Sequence, residues 1–185
     1  MKKKITQLKI ILILVSLFLI SSNIKAQDNF GFGAYVGGGV LSGNSPNVGC
    51  FSTSIFFDIK TPLSDNIIPR LSFIYTRDIN YILPGTRFGY YPYLQGYSLK
   101  LVTSQPMSGN LFIEEGAGFA SIADKTFSDS ESWDYGVLFS ISAGLDLRQD
   151  NRSGFKIGIG TEYGITFNNT LAKYFSLHFQ AEYVF

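Results

Sequence analysis

Ser176 and His178 stand two residues apart near the end of this 185-residue chain, and Glu162 precedes them. A hydroxyl, an imidazole and a carboxylate are the parts of a nucleophile, a general base and the group that orients the base. In an extended segment, side chains two apart share one face, so Ser176 and His178 point the same way. His178 is the only histidine, so any imidazole base must be this residue. A pair at this spacing also recurs by chance. Other chemistry is thinly represented. One histidine and one cysteine, His178 and Cys50, lie far apart and lack metal-ligand spacing. The stretch "GFGAYVGGG" (31–39) is glycine-rich. Yet no helix follows it, and no lysine with serine or threonine is placed as a phosphate-binding loop needs. The expectation is therefore no catalytic, cofactor-binding or metal-binding residue, no cofactor, and a protein that is not an enzyme.

The elements that would carry these residues are more informative. Phe175, Leu177, Phe179, Ala181, Tyr183 and Phe185 alternate with Ser176, His178, Gln180 and Glu182. A period of two is a strand with one apolar face. Seven earlier segments read the same way: 30–40, 49–60, 67–81, 93–104, about 111–123, 133–148 and 155–167. The eighth spans 174–185. In the sixth, Trp133, Tyr135, Val137, Phe139, Ile141, Ala143, Leu145 and Leu147 oppose Asp134, Gly136, Ser140, Ser142, Gly144, Asp146 and Arg148. Helical periodicity is absent after the N-terminal segment.

That N-terminal segment, 1–26, reads as a signal peptide. Lys2, Lys3, Lys4 and Lys9 precede an apolar run from Ile10 to Ile20, and Ala26 sits at a cleavage point. The run is too short to span a bilayer. Residues 27–185 then form the barrel domain, with 10 basic and 14 acidic groups. Without a basic patch, nucleic acid is not an expected partner. A single cysteine cannot form an intramolecular disulfide in an exported protein.

The connections alternate. "TPLSDN", "QPMSGN" and "QDNRSG" begin at residues 61, 105 and 149 and are rich in turn residues. The loops at 41–48, 82–92, 124–132 and 168–173 are less turn-like, and two are longer. Aromatics recur near strand ends: Phe30, Tyr81, Tyr93, Trp133, Phe155, Phe167, Tyr174, Tyr183 and Phe185. Short turns on one side, larger loops on the other and aromatic girdles between are the marks of an outer-membrane barrel. The polar phase, rich in Gly and Ser with charges of both signs, then faces the lumen. It places Asp58, Lys60, Arg70, Asp78, Lys100, Glu114, Asp134, Asp146, Arg148, Lys156, Glu162, His178 and Glu182 inside, as a paired structural network or, alternatively, an ion path. Three residues break phase. Glu115 implies either a bulge at Glu114–Glu115 or a place at the interface near the turn. Gln95 and Arg77 fall toward the loop end, where Arg77 either meets lipid phosphate or simply sits in the headgroup layer.

On strand number, loop asymmetry and the closing pair Tyr183 and Phe185, the chain resembles the small eight-stranded outer-membrane barrels of the OmpA/OmpX type. It is similar also to the outer membrane protein beta-barrel domain group that includes PorT-like proteins. The resemblance implies an all-β, eight-stranded antiparallel up-and-down transmembrane β-barrel in the outer membrane of a Gram-negative cell, with periplasmic termini. It implies recognition of Tyr183 and Phe185 by the barrel-assembly machinery, and contact with outer-membrane lipid and lipopolysaccharide. Phe179–Gln180–Ala181 stands where many such endings carry a glycine. The function so implied is a structural or surface-interaction role through external loops, with a possible protein partner there, and not a wide pore. The alternatives are a component of a PorT-like protein-export or surface-assembly apparatus, a barrel enzyme that modifies lipid through Ser176, His178 and Glu162, or a soluble lipid-carrying barrel.

Overall fold

Alternation over eight segments predicts a sheet whose two faces differ. In a computed structural model that sheet closes on itself. The structure describes residues 30–60, 66–83, 90–127, 132–148, 153–168 and 170–185. The expected signal segment, 1–26, lies outside them, as do Arg87, Phe88, Asp129 and Glu131 of the expected loops.

The strands are β1 (Phe30–Ser42), β2 (Val48–Ile59), β3 (Ile67–Asp78), β4 (Tyr93–Pro106), β5 (Leu111–Lys125), β6 (Ser132–Asp146), β7 (Gly154–Thr166) and β8 (Lys173–Val184). Each pairs antiparallel with its sequence neighbours, and β1 pairs with β8 to close the barrel. The closing seam runs in register from Gly31 opposite Val184 to Ser42 opposite Lys173. It is extended at one end by the Phe185 amide, which donates to the Phe30 carbonyl at 2.9 Å. Both ends of the described barrel thus lie on the side of the β2–β3, β4–β5 and β6–β7 turns.

The outward face is apolar along every strand. Phe119 and Phe179 are 75% and 71% exposed. Val36, Ile55, Leu71, Leu99, Phe139, Ile141, Ile159 and Leu177 are exposed with them. Water does not support a continuous apolar belt of this kind around a monomer; lipid does. The inward face holds most of the charges. A soluble lipocalin would have the two faces exchanged.

Four expectations change. The third strand ends at Asp78 rather than Tyr81. The Asp78 carboxylate accepts from the Asn80 amide at 2.8 Å and turns Ile79–Tyr81 into one 3₁₀ turn. Glu114–Glu115 holds no bulge: the register runs unbroken, with Glu115 opposite Thr103 and Ile141 and exposed on the outward face. Tyr174 is not a girdle residue. It is 1% exposed and shares the inward parity of Ser176 and His178. The loop asymmetry is also weaker than the sequence suggested. β5 runs to Lys125, which shortens the fifth connection to 126–131, and only the 79–92 connection is markedly long.

The apolar belt makes a prediction. Phe139 lies midway along β6, exposed, opposite Ala117 and Tyr163. Replacing it with Arg should cost about 2–4 kcal/mol of folding free energy in a bilayer. Equilibrium unfolding from phospholipid vesicles measures this, and an unchanged midpoint would place the residue in water.

Candidate functional site: the filled lumen

Eight strands leave a bore just wide enough for side chains. The inward phase of this chain fills it in layers. At the loop end, Asp78, Asp124 and Asp134 are buried and hold loop backbone or hydroxyls. Asp124 accepts from the Thr126 amide at 2.8 Å. Asp134 accepts from the Thr170 hydroxyl at 2.7 Å.

Beneath them lies an apolar plug. Leu41, Cys50, Ile74, Leu94, Ala120, Ile122, Leu138, Ala172 and Tyr174 form one buried cluster drawn from seven strands and the last loop. Leu41 and Leu138 have no solvent exposure at all. Asp78, Asp124 and Asp134 edge it as the register partners of Cys50, Leu94 and Ile122, and the apolar side chains between them offer a hydrated ion no replacement for its water.

Next comes a shelf of hydrogen bonds centred on Glu162. The hydroxyls of Tyr35 and Tyr174 each donate to Oε1 of Glu162 at 2.7 Å. The Lys100 ammonium pairs with Oε2. One carboxylate therefore ties together β1, β4, β7 and β8. His178 lies alongside, its ring stacked on Tyr35 with centroids 4.0 Å apart. Its Nδ1 is 3.3 Å from the Ser176 hydroxyl. At Gly37 an added Cβ would run into the Leu177 carbonyl and come within 2.5 Å of the His178 Cα, so β8 lies this close because β1 has no side chain there.

The turn half holds a charge cluster. Arg70 grips Asp58 with two hydrogen bonds of 2.7 Å and reaches Glu114 at 3.1 Å. Lys156 pairs with Glu114 and lies 3.9 Å from Glu182, which is 3.7 Å from Arg70. Aromatic rings cover the cations: Arg70 lies over Phe56 at 4.1 Å and Lys156 over Phe112 at 4.3 Å. Removing water from such charges is costly, and it is offset only where each has an opposite charge and further hydrogen bonds. The cluster supplies both for Asp58 and Glu114, while Glu182 rests on the two longer ion pairs.

Of the residues assigned to the lumen by parity, Asp58, Arg70, Lys100, Glu114, Lys156, Glu162, His178 and Glu182 come together in the shelf and the cluster. Asp78 and Asp134 are inside but serve the loops. Asp146 and Arg148 are half-buried and pair with each other at the turn end, at 2.5 Å. Lys60 is half-buried at the same end. The Ser–His–Glu trio is only partly assembled: Ser176 meets His178, while Glu162 is engaged by Tyr35, Tyr174 and Lys100. Sequence reasoning missed the two tyrosines and the plug. Their inward parity was the available signal.

Lys100 supplies a test. Lys100→Ala leaves Glu162 buried with two hydroxyls and no cation. The expected cost is about 3–5 kcal/mol in unfolding free energy. Lys100→Met combined with Glu162→Gln, which removes both charges, should recover most of it. Urea unfolding of the refolded barrel in micelles reads both. Equal loss in the single and double variants would mean that the pair does not hold the shelf.

The chain matches no protein-family model and no curated protein sequence. It does match solved structures. Neisserial surface protein A is similar over 84% of this chain and 97% of its own, with a TM-score of 0.66 and 10% identity. Ail, the attachment invasion locus protein of Yersinia pestis, is similar over 86% of this chain and all of its own, with a TM-score of 0.52 and 11% identity. At such identities the likeness is one of fold. This chain therefore has the fold of the small eight-stranded transmembrane barrels.

Proposed function

We propose that this protein is an integral outer-membrane barrel that works through its external loops, with a lumen closed to solutes and no catalytic turnover. The observation that carries the reading is the pairing of an apolar outer belt with a filled bore. The belt commits the barrel to lipid. The plug and the charge cluster fill the bore among the described residues. What remains free to act is the loop end. There Ile79, Tyr81, Ile82, Leu83 and Phe127 are exposed beyond or beside the strands. A surface or structural role uses such loops, with the strands as a rigid mount. The termini are assigned to the periplasm. Tyr183 and Phe185, with ring centroids 4.9 Å apart beside the β8–β1 seam, are assigned to the barrel-assembly machinery.

Two outcomes check this reading. The protein should sediment with outer membranes and migrate faster on a gel when unheated. Recovery as a soluble periplasmic species without heat-dependent migration would contradict it. Reconstituted in planar bilayers, it should give no stable ohmic steps. A large, regular conductance would mean that the plug is open.

The seam adds a further outcome. Phe185→Asp should lower the assembled fraction in cells by placing a charge at the closing seam. Heat-dependent migration of membrane extracts measures the fraction. Wild-type levels in this variant would remove Phe185 from the assembly reading.

A further inference from the structure

The outward face of the loop end carries a cation. Arg77 is the penultimate residue of β3 and lies on the same phase as Leu71, Phe73 and Tyr75. Its register partners are Phe51 on β2 and Tyr93 on β4. A charge placed there faces hydrocarbon or headgroups, where an anionic partner matters most.

The side chain is held by aromatic groups rather than by a counter-ion. The guanidinium lies over the Tyr81 ring at 3.5 Å and beside the Tyr93 ring at 5.1 Å. One Nη donates to the Tyr75 hydroxyl at 3.0 Å. Its Nε is shielded from solvent and has no hydrogen-bond acceptor among the described residues. Among those residues Arg77 makes no ion pair with a carboxylate. Asp78 and Asp124, the acids adjoining this row of residues, are on the inward phase and buried, and each accepts from a loop amide.

A second cation, itself buried, lies near the same ring. Lys125 of β5 is the register partner of Tyr93 from the other side, with its ammonium 5.6 Å from the ring centre. Arg77, Tyr93 and Lys125 thus form one row across three neighbouring strands. The rings of Tyr75, Tyr93, Tyr97 and Trp133 around it place the row at the level where aromatic side chains meet headgroups. A planar guanidinium pinned by rings presents its fork in a fixed direction, which matches the oxygens of a phosphate.

We propose that Arg77, held by Tyr75, Tyr81 and Tyr93 and flanked by Lys125, seats the phosphate of an anionic lipid at the loop-side membrane interface. The proposal rests on the reading of the chain as a membrane barrel. The rings set the direction of the fork, and the phosphate supplies the counter-charge. The seat is one-sided: it belongs to β3, β4 and β5 only.

Lipid retention by the folded barrel tests this. Native mass spectrometry in micelles would compare diphosphoryl lipid A with phosphatidylcholine, on wild type, Arg77→Gln, Arg77→Lys and Lys173→Gln. Lys173 is an exposed cation at the loop end of β8, outside the row. Wild type should hold lipid A in preference to phosphatidylcholine. Arg77→Gln should weaken lipid A about tenfold, the loss of a charged hydrogen-bond partner. Arg77→Lys, which keeps the charge and loses the fork, should fall between them, and Lys173→Gln should match wild type. Inorganic phosphate at equal phosphate concentration should not displace the lipid. Heat-dependent migration confirms that each variant is folded, and Arg77→Lys carries the test if Arg77→Gln does not fold. Equal retention by Arg77→Gln, equal loss in Lys173→Gln, no preference over phosphatidylcholine, or displacement by inorganic phosphate would each overturn the proposal. A wild-type protein that forms no heat-modifiable barrel would instead sink the membrane reading beneath it.

Discussion

Hydrocarbon offers no partner to a peptide amide. A strand that enters a bilayer must therefore have a neighbour on both edges, and a sheet can meet that demand only by closing. In this chain the demand falls on the β1–β8 seam, where twelve register pairs join the two ends of the sheet. Everything else follows from that closure. Because it takes only eight strands, the bore is narrow. Because the bore is narrow, its side chains must fit one another, and glycines appear on β1 where a ring or a neighbouring strand comes close. Because lipid surrounds the outside, apolar side chains that a soluble protein would bury are turned outward.

The lumen shows how such a barrel tolerates charge. Most of its charged groups are gathered in the turn half and the shelf above it, while Asp78, Asp124 and Asp134 are buried at the loop end. Arg70 spans Asp58 and Glu114, and Glu162 accepts from two tyrosines while pairing with Lys100. The loop half holds the apolar plug, edged by those three carboxylates. This division separates rigidity from exclusion: the polar half cross-links the strands, and the apolar half shuts the bore.

Much of this was readable from parity. Period two placed Asp58, Arg70, Lys100, Glu114, Lys156, Glu162, His178 and Glu182 on one face, and the structure brings those residues together. The same rule, applied to Tyr174, would have put it inside. Counting it with the aromatics near strand ends placed it in the girdle instead. The apolar plug was harder to see because Leu41, Ile74, Leu94 and Leu138 are apolar residues on the polar phase, and each looks like a lone exception within its own strand. Only closure brings them to one level. Pairing partners also lie beyond a single strand's pattern. That is why the register at Glu114–Glu115 needed the three-dimensional sheet, and why the row Arg77–Tyr93–Lys125 was not visible as a unit. The 3₁₀ turn after β3 did leave a local mark, since Asp78 two residues before Asn80 is a side chain suited to turn the backbone.

The central claim is that the outward phase faces lipid at a defined depth. Trp133 is the only tryptophan, and it lies outward near the loop end of β6, with its ring stacked over Tyr97. Fluorescence quenching by lipids brominated at different chain positions reads its depth directly. The account predicts strongest quenching of Trp133 by bromines near the headgroup. In the variant Trp133→Phe with Phe139→Trp, the strongest quenching should move to bromines near the chain end. Quenching of both by aqueous iodide, with no response to any brominated lipid, would contradict it.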